Sequence, residues 1–121
     1  MRAGRLLGPG LMLMAAAVAP VPDSQPVTLV TTPVGTGVTV DVVGRAETAT
    51  NVRYRLVLEG RSTGGVNRTD QSGAARLEPG RETLLLRNRL GSVAGGGWRA
   101  TLTVTLADGE YEIVRDGGEE R

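Results

Sequence analysis

The chain has 121 residues, with 14 basic residues that are all arginine, 13 acidic residues and a formal charge of +1. It contains neither histidine nor cysteine, which excludes disulfides, ordinary zinc sites and nucleophiles activated by an imidazole. A nearly neutral chain without a run of basic residues offers no electrostatic basis for nucleic-acid binding.

The N-terminal segment has the pattern of a secretory signal peptide. Two arginines precede the apolar run Leu11–Ala19, which ends in small residues. A helix that crosses a bilayer needs about 20 apolar residues, so a membrane anchor is the weaker interpretation. We favour cleavage after Ala17, with Ala19 as the alternative, and removal of residues 1–17 changes the formal charge from +1 to −1. Residues 18–26 then form a proline-rich leader ahead of a single domain.

The rest of the chain predicts seven short β-strands and no amphipathic helix. The strongest pattern lies at Trp98–Leu106, where apolar residues alternate with polar ones, and the turn Ala107–Gly109 leads from it into a last strand. The fourth strand has the weakest alternation, and Pro33 is expected to end the first strand. The predicted strands are Val27–Thr31, Val38–Val43, Asn51–Glu59, Val66–Gln71, Thr83–Leu90, Trp98–Leu106 and Glu110–Arg115.

Seven strands separated by turn signals predict an all-β fold. We expect an immunoglobulin-like or fibronectin-III-like β-sandwich over residues 27–115, with a polar tail at residues 116–121. A small barrel is the alternative architecture. Tyr54, Trp98 and Tyr111 fall on the inward-facing positions of their strands, so they are assigned to the core.

One surface of the predicted sandwich is a candidate functional site. The third, sixth and seventh strands share a sheet in this topology, so their outward side chains form a common face with arginines towards the third strand and glutamates towards the seventh. The simpler interpretation is cross-strand charge pairing on a solvated sheet, and the functional one is a surface that meets an extended polypeptide without promoting aggregation. The candidate contact residues are Arg53, Arg55, Arg99, Thr101, Thr103, Glu110 and Glu112, and Thr105 extends the threonine row.

No pattern in the chain indicates catalysis, a cofactor or a metal. Glu110 and Glu112 share one face of a strand, but carboxylates beside a turn usually solvate a strand edge, so acid–base chemistry is not expected. Asp108, Glu110 and Asp116 lack the spacing of a calcium-binding loop. We therefore expect a protein that is not an enzyme and that binds no cofactor, and we also expect it to be a monomer.

A further pattern lies in five segments, namely Tyr54–Leu58, Pro79–Gly80, Leu84–Leu86, Trp98–Leu106 and Asp108–Gly109. In the side-chain pattern of their strands and in the placement of their turns, these segments resemble the CsgH-like family of curli assembly proteins. The resemblance extends over Val27–Val114. It implies a periplasmic immunoglobulin-like sandwich that keeps the major curli subunit from polymerising into amyloid before secretion. The related protein CsgC carries a Cys-x-Cys pair that is absent from this chain, so a thiol redox role is not implied.

Two other functions remain open at this point. A structural or adhesion module of the cell envelope would use the same fold and leave amyloid formation unaffected. A carbohydrate-binding or hydrolytic domain normally exposes aromatic side chains or an acid pair in a cleft, so it ranks last. For an amyloid inhibitor, strand addition at a sheet edge such as Val27–Thr31 competes with binding through the arginine- and glutamate-bearing face.

Overall fold

The computed structural model describes residues 24–62, 65–91 and 97–117. The predicted signal peptide and most of the predicted leader lie outside these ranges. The strands are β1 Val27–Val34, β2 Gly37–Gly44, β3 Thr50–Ser62, β4 Gly65–Leu77, β5 Thr83–Leu90, β6 Trp98–Leu106 and β7 Gly109–Gly117. The described ranges contain no helix long and apolar enough to cross a membrane.

The strands form two packed antiparallel sheets. One sheet has three strands in the order β1-β2-β5, and the other has four strands in the order β4-β3-β6-β7. The prediction of a seven-stranded all-β sandwich is confirmed, and so is the expectation that the third, sixth and seventh strands share a sheet.

The core lies between the sheets and follows from the alternation of side chains along each strand. Every second residue of β2 is buried, and β6 buries Ala100, Leu102, Val104 and Leu106 in the same way. No polar or charged side chain is buried among the described residues. Burial of apolar surface is therefore the main term that stabilises the fold. The largest fully buried side chains are Leu56, Leu58, Leu77, Leu102, Val27, Val40, Val42 and Val104.

Five strands extend beyond their predicted bounds, whereas β5 and β6 match them. β3 continues past Glu59 to Ser62, and β7 continues past Arg115 to Gly117. The first two residues of the predicted polar tail therefore belong to β7, and residues 118–121 of that tail lie outside the described ranges.

The extensions of β1 and β4 run against local sequence signals. β1 continues through Pro33 to Val34, because Pro33 is at a position where the β1–β2 ladder requires no N–H. β4 continues past Gln71 to Leu77, although residues 72–75 have weak strand propensity. Every residue of β4 has a partner on β3, so pairing with a strand of equal length overrides local propensity.

On each side of the sandwich, a tyrosine hydroxyl of the four-stranded sheet forms hydrogen bonds with main-chain groups of the three-stranded sheet. Tyr111 of β7 is 5% exposed, and its hydroxyl accepts a hydrogen bond from Val27 N–H at 2.8 Å and donates one to Val27 C=O at 2.7 Å. On the opposite side, the Tyr54 hydroxyl of β3 donates to Leu85 C=O of β5 at 3.5 Å. Gly73 of β4 leaves room for the phenol ring, because a Cβ at Gly73 would lie 2.6 Å from Tyr54 Oη.

The third aromatic residue, Trp98, also takes the inward position predicted for it. It is only partly buried, since it lies at the first position of β6, at the end of the sandwich, where it packs against the core. Gly117 of β7 gives the indole its space, because a Cβ there would lie 3.2 Å from Trp98 Cζ2.

Candidate functional site

The outward side chains of the four-stranded sheet form a polar surface, which we call the charged face. The pairing register arranges them in four rows that each cross the sheet from β4 through β3 and β6 to β7. The rows are Ala74, Arg53, Thr105 and Glu110; Ser72, Arg55, Thr103 and Glu112; Asp70, Val57, Thr101 and Val114; and Arg68, Glu59, Arg99 and Asp116. All the residues predicted to share one face are therefore brought together.

A bidentate ion pair on the charged face joins Arg55 of β3 to Asp70 of β4. Arg55 Nε donates to Asp70 Oδ1 at 2.9 Å, and Nη2 donates to Oδ2 at 2.5 Å. Hydrogen bonding to Arg55 lowers the pKa of Asp70, and the same contact raises the pKa of Arg55. Both side chains are open to water, so solvent screens the pair and its contribution to stability is small.

Two longer ion pairs lie in the last row of the charged face. Arg68 Nε is 3.7 Å from Glu59 Oε2, and Arg99 Nη2 is 3.3 Å from Asp116 Oδ2. Carboxylates therefore flank the arginines on both sides, with Asp70 on β4 and Asp116 on β7. The predicted division into a basic side and an acidic side is incomplete, because β4 joins the sheet beside β3 and brings its own acidic residue.

The opposite end of the charged face carries charges of both signs that form no ion pair. Among the described residues, no opposite charge lies within 4.0 Å of Arg53, Glu110 or Glu112. Arg53 and Glu110 belong to one row, with Thr105 between them. Charges that are not neutralised locally extend their field into solvent, so this corner can attract charged groups of either sign on a partner.

An open depression of about 450 Å³ lies at this corner. On the β4 side it is lined by the small residues Ser72, Gly73 and Ala74, and Arg53 and Arg55 line it from β3. Because these side chains are short, the protein surface over β4 is recessed relative to the surface over β3. A shallow polar depression does not enclose a small molecule in the way that a ligand pocket does, but it can receive side chains of a polypeptide.

The outer face of the three-stranded sheet differs in character. Arg87 of β5 holds Asp41 of β2 with two hydrogen bonds, from Nε to Oδ1 at 2.9 Å and from Nη2 to Oδ2 at 3.1 Å. Hydrogen bonding to Arg87 lowers the pKa of Asp41. Val30 and Leu84 are 44% and 50% exposed. This face therefore combines a paired charge with exposed apolar groups, whereas the charged face combines several charges with threonines.

Sequence patterns did not indicate what β4 adds to the site. Asp70 falls in the predicted fourth strand, but the poor alternation there did not assign its face, and the small residues at positions 72–74 lie beyond the predicted end of that strand. In the parts of the chain that the structure describes, no three His, Cys, Asp or Glu residues lie close enough together to hold a metal ion. What the arrangement offers chemically is a surface of charges and hydroxyl groups.

Comparison with known proteins yields structural matches. No family model matches the sequence, and no curated protein is similar to it in sequence. The solution structure of R. palustris CsgH is 18% identical to this chain with a TM-score of 0.55, and the match covers 78% of this chain and 97% of CsgH. The E. coli curli protein CsgC is 16% identical with a TM-score of 0.62, and the match covers 77% of this chain and 97% of CsgC. The chain therefore has the fold of these two proteins over almost their whole length.

Proposed function

We propose, from the fold that this chain shares with CsgH and the curli protein CsgC, that it is a periplasmic inhibitor of curli subunit amyloid polymerisation. The shared fold carries the proposal, because the match extends over 97% of each of those chains. Export through the signal peptide predicted at residues 1–17 would deliver the domain to the compartment that the subunits cross.

The charged face supplies the contact surface in this proposal. Among the described residues its apolar side chains are Ala74, Val57, Val66 and Val114, and no two of them are cross-strand neighbours, so it offers no apolar groove in which a partner could be held in a stable complex. Arg53 and the two glutamates of β7 can instead form brief, charge-complementary contacts with an extended polypeptide. Such contacts slow nucleation without forming a lasting complex.

Fibril formation by the major curli subunit, followed by thioflavin fluorescence, tests this proposal. The purified mature protein is expected to lengthen the lag phase at a ratio well below equimolar. The triple variant Arg53→Glu, Arg55→Glu and Arg99→Glu reverses the sign of three charges on the charged face, and we expect it to lose the delay.

A matched control makes the same change of charge elsewhere. Arg45, Arg81 and Arg89 are exposed and lie outside the charged face, so their triple change to glutamate should retain the delay. Equal potency of the two folded triple variants would rule out the charged face as the contact surface. If the wild-type protein has no effect on fibril formation, the proposed function is wrong and a structural or adhesion module of the envelope becomes the better interpretation.

Export is tested separately by N-terminal sequencing of the protein recovered from the periplasmic fraction. We expect the mature chain to begin at Val18, or at Pro20 if cleavage follows Ala19. Recovery of the full-length protein in the cytoplasm alone would contradict the proposed location.

A further inference from the structure

Strand addition by another chain requires main-chain groups that no neighbouring strand uses. Alternate residues of an antiparallel edge strand point their N–H and C=O away from the sheet. Arg61 N–H donates to Gly97 C=O at 3.0 Å, so odd-numbered residues of β3 bond to β6 and even-numbered residues bond to β4. Arg45 N–H donates to Pro26 C=O at 2.8 Å, so even-numbered residues of β1 bond to β2. The same alternation identifies the outward-facing residues of all four edge strands.

The edge of β1 is largely closed. Its outward-facing residues are Val27, Leu29, Thr31 and Pro33. Both main-chain groups of Val27 bond to the hydroxyl of Tyr111, and proline has no N–H to donate. Leu29 and Thr31 alone keep an outward N–H and C=O with no partner among the described residues. The edge that the sequence suggested for strand addition therefore offers two consecutive outward positions.

The edge of β5 is interrupted. The β2–β5 register shifts between Val42 and Val43, which leaves Leu85 as a bulge, and the carbonyl of Leu85 accepts the hydrogen bond from Tyr54. A bulge bends and twists an edge strand and so breaks the continuous run of groups that an added strand needs. Both edges of the three-stranded sheet are thus obstructed, each with a tyrosine hydroxyl from the four-stranded sheet.

The two edges of the four-stranded sheet differ in length and charge. On β7 the outward-facing residues are Glu110, Glu112, Val114 and Asp116, so three carboxylates stand along four positions. On β4 six residues face outward without any register shift, and they comprise two arginines, one aspartate and three uncharged side chains, two of which are small. These six are Val66, Arg68, Asp70, Ser72, Ala74 and Arg76. Of the edges in the described chain, β4 has the longest continuous row of open main-chain groups.

We propose that the edge of β4 receives an extended segment of the client polypeptide as an added strand. This inference rests on the proposed function, in which the client is an amyloid-forming subunit. Main-chain hydrogen bonds would supply the affinity, and the depression beside Ser72, Gly73 and Ala74 would receive larger side chains of the client. A client strand joined to the twisted sheet of a sandwich is kept out of the flat, in-register stack of a fibril.

Single prolines on β4 test the inference. Ser72→Pro and Ala74→Pro each remove an outward N–H and place a ring at the edge, while the β3–β4 ladder retains its hydrogen bonds. We expect each variant to shorten the lag-phase extension by about threefold or more in the thioflavin assay. The matched controls are Val114→Pro on β7 and Thr31→Pro on β1, which also remove outward N–H groups and are expected to keep the wild-type potency.

A second measurement does not depend on the folding of proline variants. Amide hydrogen exchange of the wild-type protein with added curli subunit should show protection at Ser72 and Ala74 and no change at Val114 and Thr31. Circular dichroism and thermal melting of each variant show which ones are folded, and only folded variants enter the comparison of lag phases.

The possible results separate this inference from the proposed function. Folded Ser72→Pro and Ala74→Pro variants with wild-type potency, or no gain of protection at these two residues, would overturn the β4 assignment and leave the proposed function intact. A wild-type protein that causes no delay would overturn both. Sedimentation that shows a dimer dissociated by Ser72→Pro would assign the edge to a second copy of this chain and would also overturn the inference.

Discussion

Tyr111 and Tyr54 belong to the same sheet and reach towards the same opposite sheet, yet they hold the two sides of the sandwich differently. Tyr111 is buried and exchanges two hydrogen bonds with Val27, whereas Tyr54 is partly exposed and makes one bond of 3.5 Å to Leu85. Two satisfied main-chain groups in apolar surroundings are worth more than one long hydrogen bond near water. We therefore call the β1–β7 side the firm side of the sandwich. Both sides use a tyrosine hydroxyl, so the difference in stabilisation comes from the burial of the main-chain groups that it bonds and not from the type of side chain.

Among the changes that test this contrast, removal of the Tyr111 hydroxyl should cause the largest loss in the free energy of unfolding. Tyr111→Phe leaves the N–H and C=O of Val27 buried without their partner, so we expect the free energy of unfolding to fall by about 2–3 kcal/mol. Urea unfolding followed by circular dichroism measures the change. A loss below about 0.5 kcal/mol would mean that water replaces the hydroxyl and that the side is not firmly closed.

A methyl group at Gly73 tests how tightly the other side is packed. Gly73→Ala places a Cβ 2.6 Å from Tyr54 Oη and 2.8 Å from Cζ, so the ring must shift, and we expect a loss of about 1–2 kcal/mol. Gly91→Ala is the control, because nothing lies within 4 Å of a Cβ there and the free energy of unfolding should change little. Equal melting temperatures for both variants would show that the Tyr54 ring has room to move.

Alkaline pH should weaken the firm side by a smaller amount. Burial raises the pKa of Tyr111, so its contribution to stability is complete below the pKa of an unfolded tyrosine, about 10, and is lost as the pH rises above that value. From pH 9 to pH 10.5 we expect the wild-type protein to lose less than about 1 kcal/mol more than Tyr111→Phe does. Urea midpoints at the two pH values measure this difference, and parallel pH dependence of the two proteins would contradict it.

Tyr54→Phe should have the smallest effect. The hydroxyl of Tyr54 makes one long hydrogen bond and is partly exposed, so water can satisfy the carbonyl of Leu85 after the substitution. We expect a loss of at most about 0.5 kcal/mol in urea unfolding. A loss as large as that of Tyr111→Phe would show that the two sides are held equally and would remove the contrast.

Local patterns predicted most of the fold because strand burial is a property of alternate positions. The alternation in Asn51–Glu59 and Trp98–Leu106 identified both strands and assigned Arg53, Arg55 and Arg99 to the outward side. The second half of β4 was not predictable in this way. Its small residues have little intrinsic preference for a strand, and their pairing with a long β3 determines their conformation.

The contacts of the candidate site depend on register, which local patterns do not contain. Arg55 and Asp70 are 15 residues apart in the chain and meet only because β4 follows β3 in an unbroken antiparallel register. The bonds between Tyr111 and Val27 depend on how one sheet is placed over the other. Assignment to the core was predictable for both tyrosines, but their bonding partners were not.

The bonds between Val27 and Tyr111 join residues that are 84 positions apart, in the first and last strands. A chain delivered from its N-terminus cannot form them until almost the whole domain has emerged. Closing so long a loop costs more entropy than closing a hairpin, so these bonds should form late in folding. Until then the main-chain groups at the edge of β1 stay open to pairing with other chains. Aggregation of the incompletely folded chain is therefore most favoured just before its last strand becomes available.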